Sequence, residues 1–578
     1  MGELDLLMKT FQVSPALYNM TANSCIETIR NLPQASANAH MQRLCGISHF
    51  FEDGYDFHSI IHSPAIVRED KEEYGDWQTN QDLALSICHL LKKQGIRPQV
   101  IIEPTCGKGH FILAALQTFD NIEEIYGIEI YKPYLQTLKL DILQHYLDHP
   151  QASKSTIHLL HRNFFDFDFQ PIKTSFKGKD ILVIGNPPWV TNSKLGEIQS
   201  NNLPPKSNFK KAKGLEAITG KGNFDIAEYI CIQMIKLLSG EQAHLALLLK
   251  NSVIKNIVAG QNQEQFPIRR IEQYNIDAKR EFGATVAASL LHLTMGDNGA
   301  QRCQVNDFYT STPSHEYGWV NGCFVADVSS YEQYKYIDGT SPLKWWSGVK
   351  HDCAKIMELT LQDGRWVNGF GQVADIEDTA VYPLIKSSDI KKDKTSTSRK
   401  FIIITQKSTS EETEWLKSKC PKTYQYLIEN AELLDKRGSS IYRNRPRFCL
   451  FGIGKYSFKR YKVVVSGLYK HTYFTLVKSP NGKPMMLDDT CYSLGFDEYD
   501  NAFAAQCLLN SIPIQAFIRS LLFSDAKRVI NKDLLMRIDL LKAAQHLKGK
   551  DIGLNESIWN RFISFLKLNA IPKQHSLF

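Results

Sequence analysis

The chain has 578 residues, a length that suits three or four domains of about 150 residues each. With 43% hydrophobic and 22% charged residues it reads as an ordinary soluble globular protein, and no apolar run approaches the length that spans a bilayer. The net charge is +7, and twelve scattered cysteines without a Cys-x-x-Cys pair exclude a zinc ribbon or a disulfide scaffold.

The first residues, MGELDLLMKTF, carry no secretory signal, and Leu6 stands where a myristoylation site needs Ser or Thr. A cytosolic location is expected. Residues 1–70 read as a helical and loopy extension that ends in a charged turn at 68–73. From 71 to 296, short apolar runs alternate with helical periodicity, the pattern of a doubly wound, mostly parallel α/β sheet. Seven strands are expected, at 99–103, 124–129, 156–160, 180–185, 243–249, 270–276 and 288–294. The clearest helices are 81–94, 111–118, 132–146 and 225–238, the last stopped by Gly240. Residues 191–222 break the rhythm with a long polar loop rich in Asn, Ser, Lys, Pro and Gly, a kind of segment that often carries function. After 296 the alternation fades. Residues 297–380 read as a connecting region and 381–578 as a separate α+β domain.

Within the sheet, Val100-Ile101-Ile102 runs into Glu103-Pro104-Thr105-Cys106-Gly107-Lys108-Gly109-His110-Phe111 and then a helix. Gly107 and Gly109 let backbone N–H groups approach a ligand, and a helix N-terminus attracts negative charge. Glu103 places a carboxylate at the strand tip, where it can meet a ligand ammonium group. Glu129, 20 residues after Gly109, ends the second strand, where an acid can accept both hydroxyls of a ribose. A two-glycine turn alone also fits a dinucleotide fold or a plain tight turn, although Ile112 stands where a third dinucleotide glycine would be. The third strand ends at Asn163 and Phe164, a polar side chain and a ring that suit the amino group and face of an adenine.

The fourth strand ends in Asn186-Pro187-Pro188-Trp189. Doubly wound folds place their sites at such strand ends. The Asn186 side-chain oxygen and the Pro187 carbonyl can both accept hydrogen bonds from one amino group, because prolines supply carbonyls without competing N–H donors. Trp189 offers a flat face for stacking. An amino nitrogen conjugated with an aromatic ring is a weak nucleophile. Two acceptors on its N–H bonds raise its electron density and favour a pyramidal nitrogen able to attack a methyl donor in line. Asn186 is an amide and no effective base, so the proton is expected to leave after transfer. By itself the motif specifies an amino or amide nitrogen.

Residues 381–578 hold 33 Lys and Arg against 18 Asp and Glu, whereas the rest of the chain holds 35 against 43. A basic final third on an acidic body points to a polyanion-binding module. There Arg437, Arg443, Arg445, Arg447, Lys455, Lys459, Arg460 and Lys462 alternate with Tyr442, Phe448, Tyr456, Phe458 and Tyr461. Such cations contact phosphates, and Arg can also pair with guanine.

The string from Pro104 to Phe111, followed by Asn186-Pro187-Pro188-Trp189, resembles the gamma class of adenine-N6 DNA methyltransferases of type II restriction–modification systems. In that class the cofactor motif precedes the catalytic motif and the target recognition domain follows both. The resemblance covers about residues 74–296 by motif and extends loosely over 345–542. It implies a Rossmann-like, seven-stranded methyltransferase sheet with a C-terminal target recognition domain. It also implies S-adenosylmethionine as cofactor, double-stranded DNA as partner and a flipped-out adenine as target. A separate cognate restriction endonuclease and a place at the nucleoid, in the cytoplasm of a bacterial or archaeal cell, are implied as well.

The resemblance assigns Thr79 to the methionine part of the cofactor and Glu103, Thr105, Gly107 and Gly109 to its loop. It assigns Glu129 to the ribose and Asn163 with Phe164 to the cofactor adenine. Asn186, Pro187, Pro188 and Trp189 become catalytic, with Phe282 opposite Trp189 across the flipped base. Arg443, Arg445, Lys459 and Arg460 become candidate DNA contacts, and no metal is expected. Three positions depart from the pattern: Asn163 stands where Asp is usual, Trp189 where Tyr or Phe is, and Asn80-Gln81 replace a Pro-containing sequence. Phe523 to Arg528 with Leu534-Leu535 resembles segments of such recognition domains, without a derivable chemistry. The alternatives are a protein glutamine-N5 methyltransferase, a fused restriction–modification enzyme and a DNA-binding protein with an inactive methyltransferase fold. The first is usually much shorter, and residues 1–70 leave the second little room for a nuclease.

Overall fold

Val100 to Ile102, Ile181 to Ile184 and Leu245 to Leu249 are buried, and apolar runs covered on both faces are what parallel strands require. They form the centre of a ten-stranded mixed sheet in a computed structural model. The structure describes residues 21–29, 31–51, 78–191, 225–297, 299–391, 398–469, 472–479, 482–523 and 530–570. The charged turn at 68–73, nearly all of the polar loop at 191–222 and the string 524–528 lie outside the described residues.

The strands are β1 (Val100–Glu103), β2 (Glu124–Glu129), β3 (Thr156–His161), β4 (Ile181–Gly185), β5 (Ala243–Lys250), β6 (Ile268–Asn275) and β7 (Ala288–Met295). Their order is β3-β2-β1-β4-β5-β7-β6. Strands β1 to β5 pair in parallel, and β7 runs antiparallel between β5 and β6. The order reverses between β1 and β4. The chain first builds outward through β2 and β3, then returns to the other side of β1. Such a reversal leaves a crevice at the carboxyl ends of the two central strands.

The sheet does not stop at seven strands. A hairpin extends it: β8 (Arg302–Asp307) pairs in parallel with β6, and β9 (Pro313–Val320) pairs antiparallel with β8. The short β10 (Cys323–Val325) completes the order. The expected count of seven is therefore corrected to ten. The physical reason is that β8 pairs across a whole strand, next to β6 rather than to its sequence neighbour β7, so no local pattern announces it.

Helices connect the strands: α1 (Ala22–Ile29), α2 (Gln34–Cys45), α3 (Gln81–Lys93), α4 (His110–Thr118), α5 (Lys132–Asp148), α6 (Ile226–Leu237), α7 (Asn251–Glu264) and α8 (Ala278–Phe282). Asn80 caps α3 through Leu83 N, and Asp225 caps α6 through Ala227 N. The described part of residues 1–70 holds α1 and α2 and is tied to α5. Gln144 Oε1 accepts from Ala22 N at 2.8 Å, and Lys139 Nζ donates to Phe50 O at 2.8 Å. Ile47 also forms a parallel bridge to Ile157 on β3.

The chain divides into two compact units near Cys323. Residues 297–380, expected to connect, hold β8 to β10 and then the first strands of the second unit: β11 (Trp346–Ser347), β12 (Glu358–Gln362) and β13 (Arg365–Val367). They are followed by β14 (Val381–Ile385), β15 (Lys400–Ile403), β16 (Tyr461–Ser466), β17 (Thr475–Lys478), β18 (Met486–Leu487) and β19 (Cys491–Phe496). One sheet runs β13-β12-β15-β14-β18 and the other β11-β19-β16-β17. Leu359, Ile402, Leu427 and Phe448 centre the core of the first of these.

Leu182 is fully buried on β4, between β1 and β5. We expect Leu182→Ala to destabilise the protein by about 2–5 kcal/mol, read from the denaturant midpoint of unfolding.

Candidate active site

The loop after β1 is built from its backbone. Gly107 and Gly109 have φ of 52° and 73°, the left-handed region that a side chain resists. Space is short as well: a Cβ on Gly109 would lie 2.2 Å from the Leu138 side chain, and one on Gly107 would lie 2.8 Å from that of Gln78, so those side chains would have to shift. Glu129 holds the loop from β2. Its two oxygens accept from Gly107 N and Tyr131 N, each at 2.8 Å.

Thr79 and Glu103 are buried beside this loop. Thr79 O meets His110 Nδ1 at 2.5 Å, which ties the segment before α3 to the first residue of α4. Glu103 Oε2, Thr105 Oγ1 and Thr79 Oγ1 are buried without a hydrogen bond to any of the described residues. Three such atoms around one loop are a strong departure from ordinary packing, where buried polar groups are paired. Burial pushes the Glu103 carboxyl well above the usual carboxylate range, and the charge of Glu129 adds to the effect. A backbone hydrogen bond from Ile112 acts the other way.

The Asn186-Pro187-Pro188-Trp189 turn leaves β4 next to this carboxyl. A Cβ on Gly185 would lie 3.3 Å from Glu103 Cγ, so the strand approaches closely because Gly185 has no side chain. Asn186 and Pro188 are half-buried, while Pro187 and Trp189 are buried. Trp189 is fixed at two points from β5: its Nε1 donates to Leu248 O at 3.1 Å, and Lys250 Nζ donates to its carbonyl at 2.9 Å. Lys250 also pairs with Asp225 at 2.6 Å, and Asp225 caps α6. Gln78, Leu248, Lys250 and Asp225 were not singled out as site residues from the sequence. Of these only Asp225 carries a local signal, as the start of a helical pattern.

Phe282 ends α8 and packs edge-on against Trp189, with ring centroids 5.1 Å apart and planes at 69°. A flat base between two rings needs them roughly 7 Å apart, twice the carbon contact distance of about 3.5 Å. At 5.1 Å the two rings therefore fill the space between them. Asn163 caps the short turn Phe164–Asp166 by accepting from Phe165 N at 3.0 Å, which orients its amide. Phe164 is buried against Phe165 and Phe169.

In the second unit, Arg443 and Arg445 are exposed on either side of Asn444, which adopts a φ of 57°. Arg460 is exposed beside the Tyr461 ring, and Lys459 pairs with Asp497 at 2.5 Å. Lys462 is corrected from a surface cation to an internal one, and Arg437 is half-buried and occupied inside the protein. Lys462 is buried and donates to the carbonyls of Lys459 and Met485, and burial pushes its ammonium down to about 7. Arg437 donates to Leu434 O and Cys449 O and lies over the Tyr442 ring. Arg447 is paired with Asp435 at 2.7 Å. No group of metal-ligating side chains occurs among the described residues, and no described helix is long and apolar enough to cross a membrane.

The chain is 38% identical over 484 residues to the type II methyltransferase M.NspV of Nostoc sp., a match that covers 83% of this chain and 98% of that one. The chain belongs to the type II methyltransferases. Its cofactor is S-adenosylmethionine, and the orphaned oxygens of Glu103, Thr105 and Thr79 fit the ammonium and polar groups of that molecule. No family model matches the chain. Among solved structures, the type IIL restriction–modification enzyme MmeI in complex with DNA is similar at a TM-score of 0.44 and 13% identity, over 95% of this chain and 78% of that one. The type IIG restriction endonuclease BpuSI is similar at 0.35 and 12%, over 95% of this chain and 63% of that one. Both likenesses are too distant to assign a role to any residue of this methyltransferase.

A raised carboxyl pKa fixes the sign of two effects. The protonated Glu103 contributes stability below the ordinary glutamate range, and that contribution is lost as pH rises through the raised value. Glu103→Gln is therefore expected to raise the melting temperature of the ligand-free protein at neutral to alkaline pH. If Glu103 meets the cofactor ammonium, the same variant loses that charge, and its affinity should fall about tenfold or more by calorimetric titration. Wild-type binding should release a proton, seen as a dependence of the measured heat on the buffer.

Proposed function

We propose that this type II methyltransferase transfers a methyl group to the exocyclic N6 of an adenine flipped out of double-stranded DNA. The observation that carries the reading is the Asn186-Pro187-Pro188-Trp189 turn at the tip of β4, beside the buried Glu103 of the cofactor loop and in contact with Phe282. S-adenosylmethionine supplies an electrophilic sulfonium methyl when bound.

The residues of the chain do the rest. Asn186 Oδ1 and Pro187 O accept the two amino hydrogens of the target and hold the nitrogen lone pair toward the methyl group. Trp189 and Phe282 cover the two faces of the base, and such stacking is worth about 1–3 kcal/mol per base. Glu129, through Gly107 N, keeps the cofactor loop in register with β2. The N6 proton passes to water after transfer, since Asn186 is no base. Glu103, close against Gly185, is reserved for the cofactor ammonium.

The grip on DNA falls to the basic second unit, with Arg443, Arg445 and Arg460 as the exposed cations and Lys459 in exchange with Asp497. Neutralising phosphates releases counterions, so binding should weaken steeply as salt rises. A cognate restriction endonuclease, encoded separately, would make the methyl mark protective. The cytoplasm of a bacterial or archaeal cell is the place where such a pair works.

The test is transfer of a labelled methyl group to genomic DNA or to bulk protein, followed by digestion and identification of the product. Label is expected on adenine N6. Label in protein alone, on glutamine, would instead favour a protein methyltransferase. Asn186→Ala should cut turnover roughly 100- to 1000-fold while cofactor binding stays close to wild type. Near-normal turnover of that variant would remove Asn186 from the mechanism.

A further inference from the structure

Phe282 sits on a helix of five residues, too short to hold its own place. What holds it is a brace of four side chains, Asp277, Glu281, Tyr309 and Asn80, from three parts of the first unit. Asp277 caps the helix by accepting from Lys279 N and Arg280 N, each at 3.1 Å. The Tyr309 hydroxyl accepts from Asp277 N at 3.1 Å and donates to Glu281 Oε1 at 3.0 Å, so one phenol spans the helix from end to end. Glu281 Oε2 accepts from Asn80 Nδ2 at 3.2 Å. Asn80 Oδ1 is already engaged by Leu83 N at 2.7 Å, which turns the amide so that its N–H faces Glu281. The Glu281 side chain is only 8% exposed.

Tyr309 is itself rigid. It belongs to the turn between β8 and β9, where Asp307 Oδ1 accepts from Thr310 N and Oγ1 at 2.8 and 2.9 Å. Phe308 N donates to Asn275 O at the end of β6. The Arg280 guanidinium covers the Tyr309 ring, 4.9 Å from its centroid. Asn80 follows Thr79, whose carbonyl meets the first residue of α4. One carboxylate thus joins the cofactor side of the site, the added hairpin and the helix that carries Phe282.

We propose that Tyr309 and Glu281 are positioning residues for methyl transfer: they fix α8 so that Phe282 alone swings aside, and closes again on the target base. The proposal rests on Phe282 as a wall of the base slot. Trp189, held from β5 at both its indole and its carbonyl, is the fixed wall.

The experiment uses the full chain and a duplex that carries the adenine mapped by methyl labelling. Tyr309→Phe removes one oxygen and leaves the ring under Arg280. Its kcat should fall about tenfold, since misplacement remote from the chemistry acts on the productive geometry. The KM for DNA and the cofactor affinity should stay within about twofold of wild type. In a Phe282→Ala background the same substitution should cost nothing further, because its only route is through that ring. Wild-type kcat for Tyr309→Phe overturns the proposal, and so does a loss of equal size in both backgrounds. If Tyr309→Phe fails to fold, Glu281→Gln, of the same size, enters the same cycle with the same expectations. A wild-type protein that puts no label on adenine overturns the base-flipping reading itself, a result distinct from either outcome of the cycle.

Discussion

An ionisable carboxyl shut away from water governs the first unit. Glu103 ends the central strand, is buried, and leaves one oxygen without a partner among the described residues. Isolating a charge in this way costs several kcal/mol, so the free protein favours the neutral acid. The architecture around it serves to make that burial tolerable and useful. Broad apolar strands on both sides supply the compensating burial of surface. Gly185 lets β4 come close enough to share the pocket, and Glu129 spends its own charge on backbone N–H groups rather than on solvent. A ligand with an ammonium group relieves the penalty, so the affinity for such a ligand is partly stored in the fold beforehand.

The two halves of the site are held by different means. The cofactor loop is held by backbone geometry: two left-handed glycines, a carboxylate across the loop and a His–carbonyl contact. The target side is held by side chains. Trp189 is anchored to β5, and Phe282 is carried at the end of a five-residue helix. This asymmetry suits a site whose cofactor pocket must be ready in advance. In the proposed function its target side must open for a base that arrives from a duplex.

Much of this was legible in the sequence, for identifiable reasons. Buried parallel strands are short apolar runs, and all seven expected strands lie within two residues of their places, as with Val100–Glu103 and Glu124–Glu129. The glycine turn and Asn186-Pro187-Pro188-Trp189 are local, so their positions at the tips of β1 and β4 could be read directly. The added strands could not. Pairing of β8 with β6 skips β7, and Arg302–Asp307 is too polar to stand out as a strand. Charge counting failed for a similar reason. Lys462 is basic in the sequence but internal in the structure, because two carbonyls from separate segments receive its ammonium. The partners of Trp189 and of Glu281 are likewise distant in the chain, and single-residue chemistry carries no signal of them.

The pairing of β6 with β8 has a consequence for how the protein is made. During synthesis β7 can pair with β5 and β6 as soon as it emerges, yet the outer edge of β6 keeps its N–H and C=O groups unpaired until β8 follows. An open edge of this kind is a template for the wrong strand. Domains fold as units while the chain is still being extended, so the first unit stays exposed to mispairing until the hairpin of β8 and β9 is complete. A chain cut short between β7 and β8 would hold every catalytic residue of the first unit and still be a poor protein, prone to aggregate through β6.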